Sequence, residues 1–222
     1  MENKVRAIIT GATGMVGEGV LHECLHHPDV EQVLVINRRP CGYVHAKLKE
    51  IIHADFFDLS PIADQLGGYN ACFFCLGSSS VGVSKETYYR MTYTLTMHVA
   101  ETFSKVNPDM TFCYVSGAGT NATGRLNWAQ VKGKTENDLM KLPFAQVLNF
   151  RPGIIKPTKG LQYTHKAYHY FMWLFPLLRA FNKNSFVTLR EIGLAMIHAV
   201  ALRDQKKAIE VGDIIEMAHA LN

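Results

Sequence analysis

The sequence predicts an α/β fold built on one doubly wound parallel sheet, with helices on both faces and a small helical cap at the C-terminal end. Six short, continuous apolar runs alternate with longer segments of helical periodicity, and no internal repeat or low-complexity linker interrupts them. Such runs are typical of strands buried on both faces of a parallel sheet. The 222 residues are 48% hydrophobic, enough chain for one domain with a full core. We expect a single domain over residues 1–222, with a core in 1–155 and a cap or substrate region in 156–222.

Each strand and helix is assigned from the order of these runs. Strands are expected at residues 5–9, 33–36, 50–53, 71–76, 111–115 and 145–150. Helices are expected at residues 15–26, from an N-cap at Ser84 to 106, at 126–142, and from a capping box of Thr188 with Glu191 to 201. Residues 209–211 are a candidate for a last edge strand. This alternation predicts a Rossmann-type sheet with right-handed crossovers and strand order 3-2-1-4-5-6.

A glycine motif follows the first strand and opens the first helix. Gly11 permits the sharp turn, Gly14 lets the main chain approach phosphate oxygens, and Gly17 lets the helix pack close to the strand. The N-terminal N–H groups and the dipole of the helix favour an anion at this place. The motif therefore predicts a dinucleotide site. Thr13, Met15 and Val16 belong to the same turn and are expected to contact the cofactor.

Two arginines and no carboxylate follow the second strand. In this fold an acidic residue there accepts hydrogen bonds from the adenosine ribose, whereas arginines accommodate a 2′-phosphate. Arg38 and Arg39 therefore indicate NADP(H) rather than NAD. The alternative is a pair of solvated surface arginines.

The ends of the third and fourth strands supply further candidates for cofactor contacts. Asp55 can accept a hydrogen bond from the adenine amino group, and Phe56 can lie along the ring. The alternative is a turn aspartate beside a core phenylalanine. Leu76, Gly77 and Ser78 follow the fourth strand, where main chain can pass close to a ligand at the carboxyl ends of the strands.

Charge and cysteine content restrict partners and compartment. The net charge is +4, but basic and acidic residues are interspersed, so a nucleic-acid partner is not implied. The five cysteines are an odd number, which favours a reducing compartment. Cys72 and Cys75 form a CxxC inside a predicted strand, and we interpret them as core thiols that point to opposite faces. The N-terminal MENKVRAIIT has no apolar signal region, so we expect a cytoplasmic protein. We also expect no metal site.

The segment 168–181, YHYFMWLFPLLRAF, is rich in aromatic and apolar residues. It is shorter than a bilayer-spanning helix and contains Pro176 and Arg179, so no transmembrane segment is expected. We interpret it as a cap over the substrate cleft or a subunit interface. A surface that rests on a membrane is a weaker alternative, because clustered Lys and Arg are lacking.

The motifs TGATGMVG, NRR, HADFFD, CFFCLGSS, YVSGAGTN, QVKGKTE and NFRPGII, in that order, resemble an atypical short-chain dehydrogenase/reductase. The likeness is greatest to the tat-interacting-protein-like branch, which is related to NmrA-type regulators. It implies NADP(H) bound across the sheet, with Pro152 and Gly153 among the cofactor contacts. It also implies a site of Ser116, a tyrosine and Lys132. There the serine binds the substrate oxygen, the tyrosine moves the proton, and the lysine holds the nicotinamide ribose and lowers the tyrosine pKa. The long helices after strands four and five commonly pair between subunits in this superfamily, so a homodimer remains open.

The sequence departs from this pattern at the tyrosine. Trp128 stands one helical turn before Lys132, in WAQVK, and an indole N–H does not release a proton near neutral pH. Tyr114 shares a strand face with Ser116, but we interpret it as structural rather than catalytic. The same interpretation applies to three residues that could overhang the nicotinamide, namely Tyr163, His165 and Tyr168.

Two hypotheses follow from this pattern. The first is an NADP(H)-dependent oxidoreductase that acts on a small carbonyl or alcohol, with another group in place of the tyrosine. The second is a non-catalytic NADPH-binding protein that reports redox state to a protein partner.

Overall fold

The computed structural model describes residues 4–163, 175–202 and 206–220. The strands of its main sheet are β1 Val5–Thr10, β2 Val30–Asn37, β3 Leu48–Ile52, β4 Ala71–Phe74, β5 Thr111–Val115, β6 Gln146–Phe150 and β9 Ala208–Ile209. This sheet is parallel throughout and has the order β3-β2-β1-β4-β5-β6-β9. A small second sheet pairs β7, Ile154–Lys156, with β8, Phe186–Thr188. The doubly wound fold and the strand order 3-2-1-4-5-6 are confirmed.

Helices cover both faces of the main sheet. They are α1 Met15–His26, α2 Lys85–Tyr89, α3 Leu95–Val106, α4 Asn127–Leu139, α5 Phe175–Phe181, α6 Leu189–Leu202 and α7 Val211–His219. A π-helical turn, Arg90–Thr94, joins α2 to α3, and 3₁₀ turns lie at Ser60–Gln65 and Lys183–Ser185. Successive strand residues point to opposite faces, so Ile9 and Phe73 belong to the core under α1, α6 and α7, whereas Ile8 and Phe74 belong to the core under α3.

Local signals located most elements correctly. Helix α1 has the expected bounds, and the Ser84 side chain accepts a hydrogen bond from the Thr87 N–H as an N-cap. Thr188 and Glu191 form the expected reciprocal bonds at the start of α6. The edge strand is Ala208–Ile209 rather than residues 209–211. The β7–β8 sheet and the π-helical turn were not expected, because both arise from packing rather than from local periodicity.

The thiols of the CxxC lie on opposite sides of β4, as expected. Cys72 packs in the core under α3, and the half-buried Cys75 packs against the core under α1. Burial raises the pKa of Cys75 to about 12, so its thiol stays protonated at neutral pH. All five cysteines are free thiols.

The apolar C-terminal segment is only partly described, since residues 168–174 of the expected cap lie outside the described ranges. Its last turns form α5, Phe175–Phe181. Within the described ranges, no helix combines the length and apolarity needed to cross a membrane. In the same part of the chain, no cluster of His, Cys, Asp and Glu is arranged to hold a metal ion.

Candidate functional site

A cavity of about 500 Å³ opens at the carboxyl ends of β1, β2 and β4. The strand ends are aligned there, because Thr10 pairs in register with Ile36 on one side and with Phe74 on the other. The residues that follow these strands therefore meet at one edge of the sheet. Eight of the predicted cofactor residues line the cavity: Gly11, Thr13, Gly14, Arg38, Arg39, Phe56, Leu76 and Gly77. Ile36, Asn37 and Cys75 line it too and were not predicted.

The glycines have the geometry that a diphosphate cradle needs. Gly11 has a φ of +73°, and a Cβ there would lie 2.8 Å from the carbonyl of Cys75. The N–H of Gly14, the N-cap of α1, donates to the Gly11 carbonyl at 3.0 Å. A Cβ at Gly17 would overlap the same carbonyl oxygen. The turn thus brings the N-terminus of α1 against the cavity, a position suited to phosphate oxygens.

Several predicted cofactor residues do not line this cavity. Met15 and Val16 pack against the core, and Ser78 is exposed in the loop after β4. The Asp55 carboxylate accepts a hydrogen bond from the Phe57 N–H at 2.9 Å, which is a local Asx turn. This turn occupies one carboxylate oxygen of Asp55, and the adenine contact stays a prediction. Phe56 is buried and lines the cavity.

Asn37 fixes the loop that carries the arginines. Its buried amide donates to the Glu50 carboxylate at 3.0 Å, and the same oxygen accepts from the Cys41 N–H at 2.8 Å. Glu50 lies on β3 beside β2. Nothing in the local pattern around Asn37 identifies this role, because its partner belongs to the next strand.

Ser116 and Lys132 meet at the carboxyl end of β5. The Lys132 ammonium donates to the carbonyl of Ser116 at 3.0 Å and to that of Val115 at 3.3 Å. Burial lowers the pKa of Lys132 to about 8, with the Glu136 carboxylate opposing the shift. Ser116 and Lys132, the two residues that the resemblance implies for the site, are therefore in contact through the main chain of Ser116.

The Ser116 hydroxyl is held by Thr120, a residue that the sequence did not point to. The two oxygens are 3.0 Å apart, and the Thr120 hydroxyl also donates to the Gly117 carbonyl at 2.8 Å. A hydroxyl has one proton, so Thr120 accepts from Ser116 in this arrangement. Ser116 must release Thr120 before it can donate to a substrate oxygen.

The β6 turn lies beside the Ser116 turn. The Ala118 N–H donates to the Pro152 carbonyl at 3.0 Å, and the Ser116 N–H donates to the Phe150 carbonyl at 2.7 Å. A Cβ at Gly153 would overlap the carbonyl oxygen of Ser185, which explains a glycine there. Pro152 is thus positioned next to Ser116, whereas Gly153 has a packing role.

Tyr114 and Tyr163, the two described tyrosines that could replace the expected proton donor, are not positioned to give a proton to a substrate at Ser116. Tyr114 is buried beside Phe74, and burial raises its pKa well above the usual range. The Tyr163 ring lies near Arg39, which follows β2. In the sheet, β2 is three strand positions from β5, a separation of about 14 Å. His165 and Tyr168 lie outside the described residues.

Trp128 occupies the position of the expected tyrosine. It is half-buried, and its six-membered ring faces the turn at Gly119, where a Cβ would lie 3.7 Å from Trp128 Cη2. An indole therefore lies beside the Ser116 turn where the resemblance implies a phenol.

The glycine cradle, the arginines and the Ser116–Lys132 pair together define a dinucleotide-binding protein of the short-chain dehydrogenase/reductase type.

Residues 7–135 match the NAD dependent epimerase/dehydratase family, and the chain belongs to that family. It is 28% identical over 151 residues to the protein FMP52-2, mitochondrial, of Scheffersomyces stipitis, covering 67% of this chain and 66% of that protein. It is 27% identical over 157 residues to the protein HTATIP2 of Rattus norvegicus, covering 70% and 64% respectively. The alignments thus span about two thirds of these relatives.

Solved structures share the fold at low sequence identity. The ADP-L-glycero-D-manno-heptose-6-epimerase of Helicobacter pylori superposes with a TM-score of 0.66 and 15% identity, over 99% of this chain and 83% of that one. A short chain dehydrogenase from Burkholderia cenocepacia in complex with NADP superposes with a TM-score of 0.64 and 14% identity, over 94% and 88%. The resemblance to atypical short-chain dehydrogenases/reductases is confirmed.

The expectation of a cytoplasmic protein is contradicted by the relatives. The FMP52 proteins that match this chain are named as mitochondrial. That expectation rested on the lack of an apolar signal region. Mitochondrial targeting segments are amphipathic and Arg-rich rather than apolar, so this criterion does not exclude mitochondria.

Proposed function

We propose that this protein is an NADP(H)-dependent oxidoreductase that acts on a small carbonyl or alcohol. The observation that carries the proposal is that Arg38 and Arg39 line the same cavity as Gly11 and Gly14. A diphosphate at the glycine turn leaves the adenosine ribose close to the end of β2, where two guanidinium groups suit a 2′-phosphate.

The residues at the end of β5 suit the chemistry of a carbonyl. When bound, a nicotinamide dinucleotide supplies or accepts the hydride. Ser116, released from Thr120, would donate a hydrogen bond to the substrate oxygen and polarise the carbonyl. The proton that the reduced oxygen takes up would come from solvent water. Lys132, held by the Ser116 and Val115 carbonyls, positions the ribose. Trp128 lies beside this turn but moves no proton.

A second function is favoured by Trp128. With an indole in place of the proton donor, the same cavity can bind NADPH without turning over a substrate. Occupancy then stabilises one conformation, which a protein partner recognises. This regulatory alternative keeps every cofactor contact and requires no hydrogen bond from Ser116 to a substrate.

Calorimetric titration of NADPH and NADH into the purified protein tests the cofactor assignment. We expect NADPH to bind more tightly, and we expect the preference to disappear in Arg38→Ala with Arg39→Ala. Hydride transfer with a carbonyl panel, followed at 340 nm with Ser116→Ala as control, separates the two functions. Turnover that depends on Ser116 supports the oxidoreductase, and tight binding without turnover supports the regulator. Failure to bind either nucleotide contradicts both.

A further inference from the structure

We propose that Tyr163 is a specificity-determining residue that holds Arg39 ready for the 2′-phosphate of the cofactor, and that Glu18 is the positioning residue that places Tyr163. The inference rests on the proposed NADP(H) function and deepens it. It assigns a role to a buried carboxylate and to an aromatic ring that lie outside the glycine motif and outside the Ser116 site.

Glu18 is the first part of this arrangement. Its carboxylate lies in the first turn of α1 and is fully buried, an environment that is costly for an unsatisfied charge. One oxygen accepts from the Tyr43 hydroxyl at 2.5 Å and from the Gln162 N–H at 2.6 Å. The other accepts from the Tyr163 N–H at 2.8 Å. These three hydrogen bonds satisfy the buried carboxylate and hold its two oxygens in place.

These bonds join three segments that are distant in the sequence. Glu18 belongs to the helix of the glycine motif, Tyr43 to the loop after the arginines, and Tyr163 to the chain that follows β7. Gly42, in the arginine loop, faces the Gln162 side chain, because a Cβ there would lie 3.6 Å from the Gln162 amide oxygen. The segment at 162–163 is therefore attached on one side to the phosphate-binding helix and on the other to the loop after β2.

The attachment brings the Tyr163 ring to Arg39. The guanidinium carbon of Arg39 lies 5.9 Å from the ring centroid, within the range of a cation–π contact. Arg39 is otherwise exposed, and an exposed arginine loses rotamer entropy when it binds a ligand. A ring under the guanidinium carbon restricts the rotamers of the arginine, and an arginine placed in this way can still donate to two oxygens of a phosphate.

The ligand class follows from this geometry. A nucleotide with a phosphate monoester on the adenosine ribose gains from an oriented Arg39, whereas a nucleotide with a free 2′-hydroxyl gains nothing. Tyr163 should therefore affect discrimination between NADPH and NADH rather than nucleotide binding in general. A residue that only stabilised the fold would change the affinity for both nucleotides by the same factor.

The experiment is a calorimetric titration of NADPH, NADH and adenosine 2′,5′-bisphosphate into wild-type protein, Tyr163→Leu, Tyr163→Phe, Arg39→Ala and the Arg39→Ala/Tyr163→Leu double variant. We expect Tyr163→Leu to weaken NADPH and the bisphosphate about two- to five-fold, the size of an exposed cation–π contact, with NADH unchanged. Tyr163→Phe retains the ring and should bind as wild type. In the Arg39→Ala background, Tyr163→Leu should have no further effect.

The outcomes separate the inference from the function on which it rests. If wild type prefers NADPH and Arg39→Ala loses that preference, but Tyr163→Leu keeps it, Tyr163 has no part in specificity and the proposed function stands. Equal losses for NADPH and NADH in Tyr163→Leu also overturn the inference. If wild-type protein binds no NADPH, or prefers NADH, the proposed function fails and the inference fails with it.

Discussion

The ammonium nitrogen of Lys132 lies 3.0 Å from the carbonyl oxygen of Ser116, so the lysine is held by the main chain of the residue that we assign to the substrate oxygen. The contact links α4 to the end of β5, and the positively charged Lys132 side chain is half-buried there. That burial lowers the Lys132 pKa to about 8, so the stability of the folded protein depends on pH between 8 and the ordinary lysine pKa of 10.5.

Lys132 should make stability increase with pH in a defined window. Its pKa is lowered from an ordinary value of 10.5 to about 8, so the unfolded chain binds more protons between these values. Its contribution to the free energy of unfolding is therefore least favourable below pH 8 and improves towards pH 10. We expect urea unfolding to show wild type gaining stability relative to Lys132→Met from pH 8 to 10. Lys134→Met is the control, since the hydrogen bond to Asp138 raises the pKa of Lys134 and no gain is expected there.

Gly17 should be intolerant of a side chain, and Gly77 should tolerate one. A Cβ at Gly17 would overlap the Gly11 carbonyl oxygen, whereas a Cβ at Gly77 meets nothing within 4 Å. We expect Gly17→Ala to lower the free energy of unfolding by about 1–3 kcal/mol, as overpacking does, and to abolish NADPH binding. Gly77→Ala should unfold like wild type. Equal stability of the two variants in chemical denaturation would contradict the packing role of Gly17.

Replacing Trp128 by tyrosine tests whether the missing proton donor limits turnover. The residue lies one helical turn before Lys132, beside the Ser116 turn. If the protein is an oxidoreductase, a correctly placed phenol should raise kcat by about 100-fold or more, the usual contribution of general acid catalysis. Trp128→Phe, which is aromatic but has no proton to give, should show no increase. Absence of any gain in Trp128→Tyr would favour the regulatory function.

Ser116 and Thr120 should differ in their effects on turnover. Removing the donor to the substrate oxygen in Ser116→Ala should lower kcat by about 100-fold, as loss of one oxyanion donor does. Thr120→Val removes the internal acceptor of the Ser116 proton but leaves Ser116 in place. We expect kcat in this variant to stay within about ten-fold of wild type, since neighbouring positioning groups contribute less than the donor itself. Steady-state kinetics on one carbonyl substrate distinguishes the two.

Glu18 should be important for stability as well as for Tyr163. Glu18→Gln replaces a carboxylate that accepts three hydrogen bonds by an amide with one acceptor oxygen. We expect a loss of about 1.5–3 kcal/mol in the free energy of unfolding, the range for a hydrogen bond to a charged group. The exposed Glu31→Gln is the matched control and should unfold within about 0.5 kcal/mol of wild type.

Much of the fold and part of the site could be predicted from local patterns. Apolar runs located the strands, the Gly11 motif located the phosphate turn, and Ser84 located a helix start. Arg38 and Arg39 could be assigned to the cavity because they directly follow β2, and the apolar run of β2 shows where that strand ends. Each of these signals lies within a few neighbouring residues. The strands follow from the periodicity of apolar residues, the phosphate turn from the backbone freedom of glycine, and the helix start from side-chain capping.

The parallel sheet, its strand order and the position of the cavity can be read from local sequence patterns, because they depend on periodicity and turn chemistry within short segments. Three contacts come from long-range packing instead: Glu18 accepts hydrogen bonds from residues 144 and 145 positions away, Tyr163 lies at Arg39 rather than at the Ser116 turn, and Thr120 holds Ser116. A buried carboxylate, a ring and a hydroxyl have no preferred partner in isolation. Their partners are selected when the folded backbone brings distant segments within hydrogen-bonding distance.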